Sequence, residues 1–237
     1  MSKPFLLSAL LIIVSSFGHA RQMAHQTEDD FKIVKGRYYG ALTFSLDQRK
    51  AENENQLIRQ VIQQNRLNYR VVGNFGYAIA DNFSLGIGMG HGRQKEELIS
   101  VGENGDEVTS KRLQQGFSIA PNMRNYIPIG TGQLQILIQT ELGFTFGESL
   151  ERIFYQDEID KIQGDFLDIN LGVNPGLILF FDRHWSFETT VGVAGLSTRI
   201  EEEVVNDDFE NRQRIQSASI DLRLNLLQLN LGVARYF

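Results

Sequence analysis

The sequence predicts an all-β chain, a closed antiparallel up-and-down β-barrel of about eight strands that crosses a membrane, behind a cleaved leader. Three observations predict it. Apolar residues recur at every second position through successive segments, the connections between those segments alternate between short and long, and the N-terminus reads as an export signal.

The leader comes first in the chain. Lys3 precedes an apolar run from Phe5 to Phe17, and Gly18 and Ala20 supply the small residues needed for cleavage after Ala20. The run is short for a membrane helix, and the polar stretch from Arg21 to Asp30 follows it at once. The chain therefore divides into a signal peptide (1–20), a short periplasmic extension (21–33) and a barrel domain (34–237). The 217 residues left after cleavage (237 less 20) suit one all-β domain. There is no cysteine, so no disulfide framework is available despite export. Without Lys3, 22 basic residues face 29 acidic ones, and the net charge of −7 argues against a nucleic-acid surface. Mean hydropathy is −0.22, as expected where only every second residue of a strand meets lipid.

The strands follow from period two. The first runs from Val34 to Leu46. In the second, Leu67, Tyr69, Val71, Phe75, Tyr77 and Ile79 alternate with polar or small residues. Phe83, Leu85, Ile87 and Met89 carry the third; Phe117, Ile119 and Met123 the fourth; Leu134, Ile136, Ile138, Leu142, Phe144 and Phe146 the fifth. The sixth spans about Phe166 to Phe181, the seventh Trp185 to Leu196 and the eighth Ile215 to Phe237. In the eighth, Leu222, Leu224 and Leu226 have one parity and Leu227, Leu229, Leu231 and Val233 the other. A β-bulge near Leu226-Leu227 turns both sets outward.

Short turns fall at Ala80-Asp81-Asn82, Pro128 to Gln133 and Asp182-Arg183-His184. Long polar links fall at roughly Asp47 to Arg66, Arg93 to Arg112, Glu148 to Asp165 and Arg199 to Gln213. Three short and four long connections join eight strands with both termini on one side. The two tightest turns read as copies of one three-residue hairpin loop, with Asn82 and His184 at its left-handed position and an aromatic, Phe83 or Trp185, just after it.

The inward parity gathers Arg37, Arg70, Arg124 and Arg223 against Glu141, Asp168, Glu188 and Asp221. An eight-stranded barrel has room only for its own side chains, so this balanced set is expected to cross-link the lumen rather than line a pore. Gly86, Gly88, Gly90 and Gly92 on one strand suit close inward packing, and a phosphate-cradling loop would need a strand-to-helix context that is missing. His91 points by parity to lipid or headgroups. The acidic runs Glu201-Glu202-Glu203 and Asp207-Asp208 read as solvated loop charges, and the glycine of a calcium loop is absent. No cofactor or metal site is expected.

Asn174-Pro175-Gly176-Leu177, continuing through Phe180-Phe181 and Trp185-Ser186 to Gly192-Val193-Ala194-Gly195, looks like a recurrent lipid-facing hairpin. Ala120-Pro121-Asn122 through Tyr126-Ile127-Pro128 to Leu142-Gly143-Phe144 is a second copy. With these motifs the chain resembles the outer-membrane β-barrel domain family of small exported Gram-negative proteins, including the eight-stranded OmpA-like and adhesin-like barrels. Leu229, Leu231, Val233 and the terminal Phe237 are similar to that family's C-terminal signal for the barrel-assembly machinery, from which Arg235 departs. The resemblance implies an outer-membrane location, lipid and lipopolysaccharide as surroundings, a structural or surface-contact role, and an unidentified extracellular ligand for the loops. His184-Trp185-Ser186 resembles the His-x-Ser pair of outer-membrane lipid A deacylases, which implies a base and a nucleophile. Here the pair falls at a periplasmic turn and alternation sends Ser186 inward, so the turn reading is preferred and no enzyme is expected. A small-solute channel is the remaining alternative.

Overall fold

A computed structural model describes residues 31–55, 60–101, 106–155, 158–208, 210, 212–222 and 229–237. The leader, Arg223 and the expected bulge at Leu226-Leu227 lie outside these residues. Alternation of side chains dictates the architecture, because each strand must turn one face to the interior and one outward. The result is entirely antiparallel: β1 (Tyr38–Asn55), β2 (Gln60–Ala80), β3 (Phe83–Val101), β4 (Glu107–Ile129), β5 (Leu134–Phe154), β6 (Ile159–Phe180), β7 (Trp185–Val191), β8 (Ala194–Val205), β9 (Gln213–Leu222) and β10 (Leu229–Tyr236). Pairing runs β5-β4-β3-β2-β1-β10-β7-β6, and a β5–β6 pairing joins the two ends into an eight-strand ring. β8 and β9 extend this sheet from the side of β6.

The ten strands lie along eight strand paths. β7 and β8 both pair with β6, and the register shifts by one residue across Gly192-Val193. In the last path, Val191 pairs with Leu229 and Ala194 with Leu222. The break at Gly192-Val193 left a signal that a single strand from Trp185 to Leu196 overlooks: exposed Trp185 and Phe187 have one parity and exposed Leu196 the other.

The ring is staggered. Stepping across the register from Tyr236 passes through Tyr39, Gly76, Gly86, Asn122, Glu141 and Gly172; four positions down β6, Gly176 continues through Thr190 to Asn230. The circuit returns six positions up β10 after that four-position slide, a stagger of ten for eight strands, and it sets a strand tilt of roughly 40°.

The short turns join β2 to β3, β4 to β5 and β6 to β7, as expected. The long links are corrected: most of Asp47 to Arg66, Arg93 to Arg112, Glu148 to Asp165 and Arg199 to Gln213 is strand. At 22 residues β6 is roughly 70 Å long, whereas about ten residues cross a bilayer. Apolar alternation ends at the belt edge, but the backbone ladder continues with charged and amide side chains interspersed on both faces. The hairpin copies are corrected too. Asn82 is left-handed at φ 59°, but His184 is not; its carbonyl accepts the N–H of Tyr236 at 2.6 Å, which ties it to the end of β10.

Outward positions form an apolar belt. Leu42, Phe44, Val71, Phe75, Leu85, Ile87, Leu142, Leu171, Leu177, Leu231 and Val233 are all exposed, and the belt's lower border carries Tyr38, Tyr77, Phe181, Trp185 and Phe237. The interior is filled from the opposite parity. At the turn end, Phe31 and Ile33 pack with Leu137, Ile178, Phe180, Tyr126 and Tyr236. Both faces of the chain are therefore apolar from Leu177 to Phe181: Leu177, Leu179 and Phe181 point out while Ile178 and Phe180 close the floor. The segment ahead of β1 is pinned there by Asn82 N–H to Ile33 O at 2.7 Å, Gly36 N–H to Ala78 O at 2.8 Å and Gln135 Nε2 to Phe31 O at 2.8 Å.

Candidate functional site

Among the described residues the interior concentrates buried polar chemistry, and it is arranged in three storeys. Above the apolar floor lies an ion pair, Arg124 Nη1 to Glu188 Oε2 at 3.1 Å, with both side chains buried. β4 and β7 supply the two residues from across the ring. Arg124 Nε donates to Gln139 Oε1 at 2.9 Å, and Gln139 Nε2 donates to Glu141 Oε2 at 2.8 Å. Tyr236 OH donates to Glu188 Oε1 at 2.8 Å, and the Arg124 guanidinium lies 4.4 Å over the Tyr39 ring. Tyr39 in turn lies across Gly76 and Gly86, and its hydroxyl reaches Asn122 Oδ1 at 3.2 Å on β4. A Cβ on Gly86 would collide with the Tyr39 hydroxyl and come within 2.7 Å of Phe75 O, so only glycine lets the ring lie flat.

Above this pair opens a cup of about 600 Å³, lined among others by Arg66, Arg70, Glu141, Asn170, Asn174 and Asn230. Arg66 is tied to Asp47 at 3.2 Å. The top storey lies on the upper strands. Arg199 Nε sits 2.8 Å from Asp168 with its guanidinium 4.0 Å over Phe166, while Glu201 accepts from Ser149 Oγ at 2.7 Å and pairs with Arg112 at 3.4 Å. Glu203, one inward step above Glu201, has its carboxyl pushed up from the ordinary range, first by burial and then by the Glu201 charge.

Arg124, Glu188 and Glu141 thus meet in one network, and Asp168 joins a second one higher up. Arg70 lines the cup, where its charge attracts Asp168. Arg37 stands beneath the floor, donating to Lys32 O at 3.0 Å and to Arg183 O, and stacking 5.4 Å from Tyr236. The Asp221 side chain lies outside the described residues; its backbone pairs with Gly195. Glu201 corrects the reading of the acidic run as solvated. It is 5% exposed, because β8 runs on past the belt and turns every second residue of the run inward. Parity carried past Leu196 would have shown this, as inward apolar Leu137, Ile178 and Phe180 would have shown the floor.

The His184-Ser186 pair is divided by the wall. His184 is exposed at the turn with Nδ1 3.9 Å from Asp182, while Ser186 is fully buried and Glu188 is engaged by Arg124 and Tyr236. Leu229, Leu231, Val233 and Phe237 are all exposed on the outer face of β10 and at its end, where Arg235 stacks on Trp185 at 5.5 Å and on Phe237 at 4.7 Å. Among the described residues no cluster of three metal-ligating side chains occurs.

No family model matches the chain, and no curated protein does. Among solved structures it is similar to a major outer membrane protein of Thermus thermophilus, at 14% identity over 85% of this chain and 99% of that one, with a TM-score of 0.42. It is similar to the outer membrane protein OprG of Pseudomonas aeruginosa, at 13% identity over 86% and 97% with a TM-score of 0.33. It is also similar to neisserial surface protein A, at 16% identity over 86% and 98% with a TM-score of 0.32.

Proposed function

We propose that the chain is a non-enzymatic barrel of the Gram-negative outer membrane, exported by residues 1–20, closed against passage by its own side chains, and presenting tall strand walls at the cell surface as a structural or surface-contact module. The inside-out distribution of residues carries this reading. The exposed apolar belt demands a hydrocarbon surround, while Arg124 and Glu188 are buried at 2% and 6% exposure in a ring whose floor is packed with aromatics. At the level of the belt the eight strands pair around the ring, and a bilayer requires such pairing because it offers backbone groups no water. The floor and the ion pair stand in the path of a solute, so the cup is a blind recess. In this reading Leu229, Leu231, Val233 and Phe237 serve the barrel-assembly machinery.

Reconstitution tests it. Purified protein should migrate faster on gels before boiling than after, give no stable single-channel currents in planar bilayers and leave lipid A acyl chains intact. Steady unitary currents would establish a channel instead, and acyl release dependent on His184 and Ser186 would establish a hydrolase.

A further inference from the structure

Just above the apolar belt, outward charges are sorted by wall. On β3 the outward positions climb from Leu85, Ile87 and Met89 through His91 to Arg93 and Lys95, all exposed. Arg93 stands in register between Tyr69 on β2 and Gln115 on β4, and Lys95 between Leu67 and Leu113. On the other wall the first outward charges above Phe146, Leu167 and Ile200 are Glu148, Asp165 and Glu202, which neighbour one another in an unbroken row across β5, β6 and β8. An anion approaching the belt edge is drawn to the first wall and repelled from the second.

Among the described residues neither Arg93 nor Lys95 has a carboxylate partner, although Lys111 nearby is held by Glu97 at 3.0 Å. Two positions apart on one face, their side chains leave the strand about 7 Å from each other. Their aliphatic stems rise from the apolar patch of Val71, Met89 and Phe117, which leaves the charged heads at the height where the hydrocarbon ends. Arginine and lysine in such a place match the phosphate of a lipid headgroup, the guanidinium as a fork and the ammonium as a point charge.

We propose that Arg93 and Lys95 form a binding site for the phosphate groups of an outer-leaflet lipid, flanked by the Tyr69 hydroxyl and the Gln115 amide, so that one wall of the ring carries a fixed lipid and the acidic wall does not. This rests on the reading of the belt as bilayer-embedded. The test is native mass spectrometry of the detergent-solubilised mature chain, titrated with bisphosphorylated lipid A and with the same lipid stripped of phosphate. The phosphorylated form should be retained roughly tenfold or more tightly. An Arg93→Gln/Lys95→Gln variant should abolish that preference, whereas Glu148→Gln/Asp165→Gln should not weaken it. Equal retention of the two lipids, or an unchanged preference in the Arg93→Gln/Lys95→Gln variant, overturns the proposal. Inorganic phosphate alone binding as tightly as the lipid overturns the lipid as occupant. Heat-modifiable migration of the same samples reports separately whether the membrane reading holds.

Discussion

Arg124 and Glu188 illustrate how much of a buried pair is visible before folding. Parity on β4 and β7 sends each inward, but their partnership depends on the ring bringing those strands face to face, and no spacing along the chain encodes that. Removing one member leaves the other charged and dry. Glu188→Gln should therefore lower unfolding stability by about 3–5 kcal/mol, while replacing both with leucine should cost much less, as read by urea titration of Trp185 fluorescence. Outward positions obey the opposite rule. Val173 is exposed on β6 in the middle of the belt, and its neighbour Asn174 lines the cup. Val173→Arg should impair insertion by roughly 2–4 kcal/mol and Asn174→Ser hardly at all. Equal yields of heat-modifiable protein from the two variants would mean that the register of β6 is wrong.

Among the elements, β3 packs tightly at Gly86, Gly88 and Gly90 but leaves ordinary room at Gly92. Alternating glycines on an inward parity promise close packing, but only the staggered ring puts Tyr39 across Gly76 and Gly86 in particular. Gly86→Val should force the ring off its seat and strain the β2–β3 pairing, destabilising by about 1–3 kcal/mol. A crystal structure or a Tyr39 resonance unchanged in the variant would contradict the packing. Strand number was legible because each lipid-facing segment alternates over about ten residues. Strand length was not, since alternation encodes the solvent on each face rather than hydrogen bonding. Above Leu46, Leu67, Phe117, Phe146 and Leu167 charged and amide side chains break the apolar alternation, and a ladder between such strands looks like a loop in sequence.

At the scale of the molecule, connection lengths predicted which end carries the turns, and the turn end is the one closed by Phe31, Ile33 and the aromatic floor. With Phe31 and Phe237 at that end, a tag beside Asp207 should be labelled by an impermeant reagent on whole cells, and a tag beside Arg183 only after the outer membrane is breached. The reverse order would invert the topology. The register also sets one side of the β6 lacing against the other. β5 is zipped to β6 at a single register from Leu134 to Phe154, whereas on its other side β6 holds β7 over five pairs, Gly176–Thr190 to Phe180–Ser186, before the register steps at Gly192-Val193. Mechanically the wall is a laced cuff with one skipped eyelet. Strain travelling around it gathers at that step, where β7 can shift against β6 while the tall β5–β6 hairpin keeps its shape.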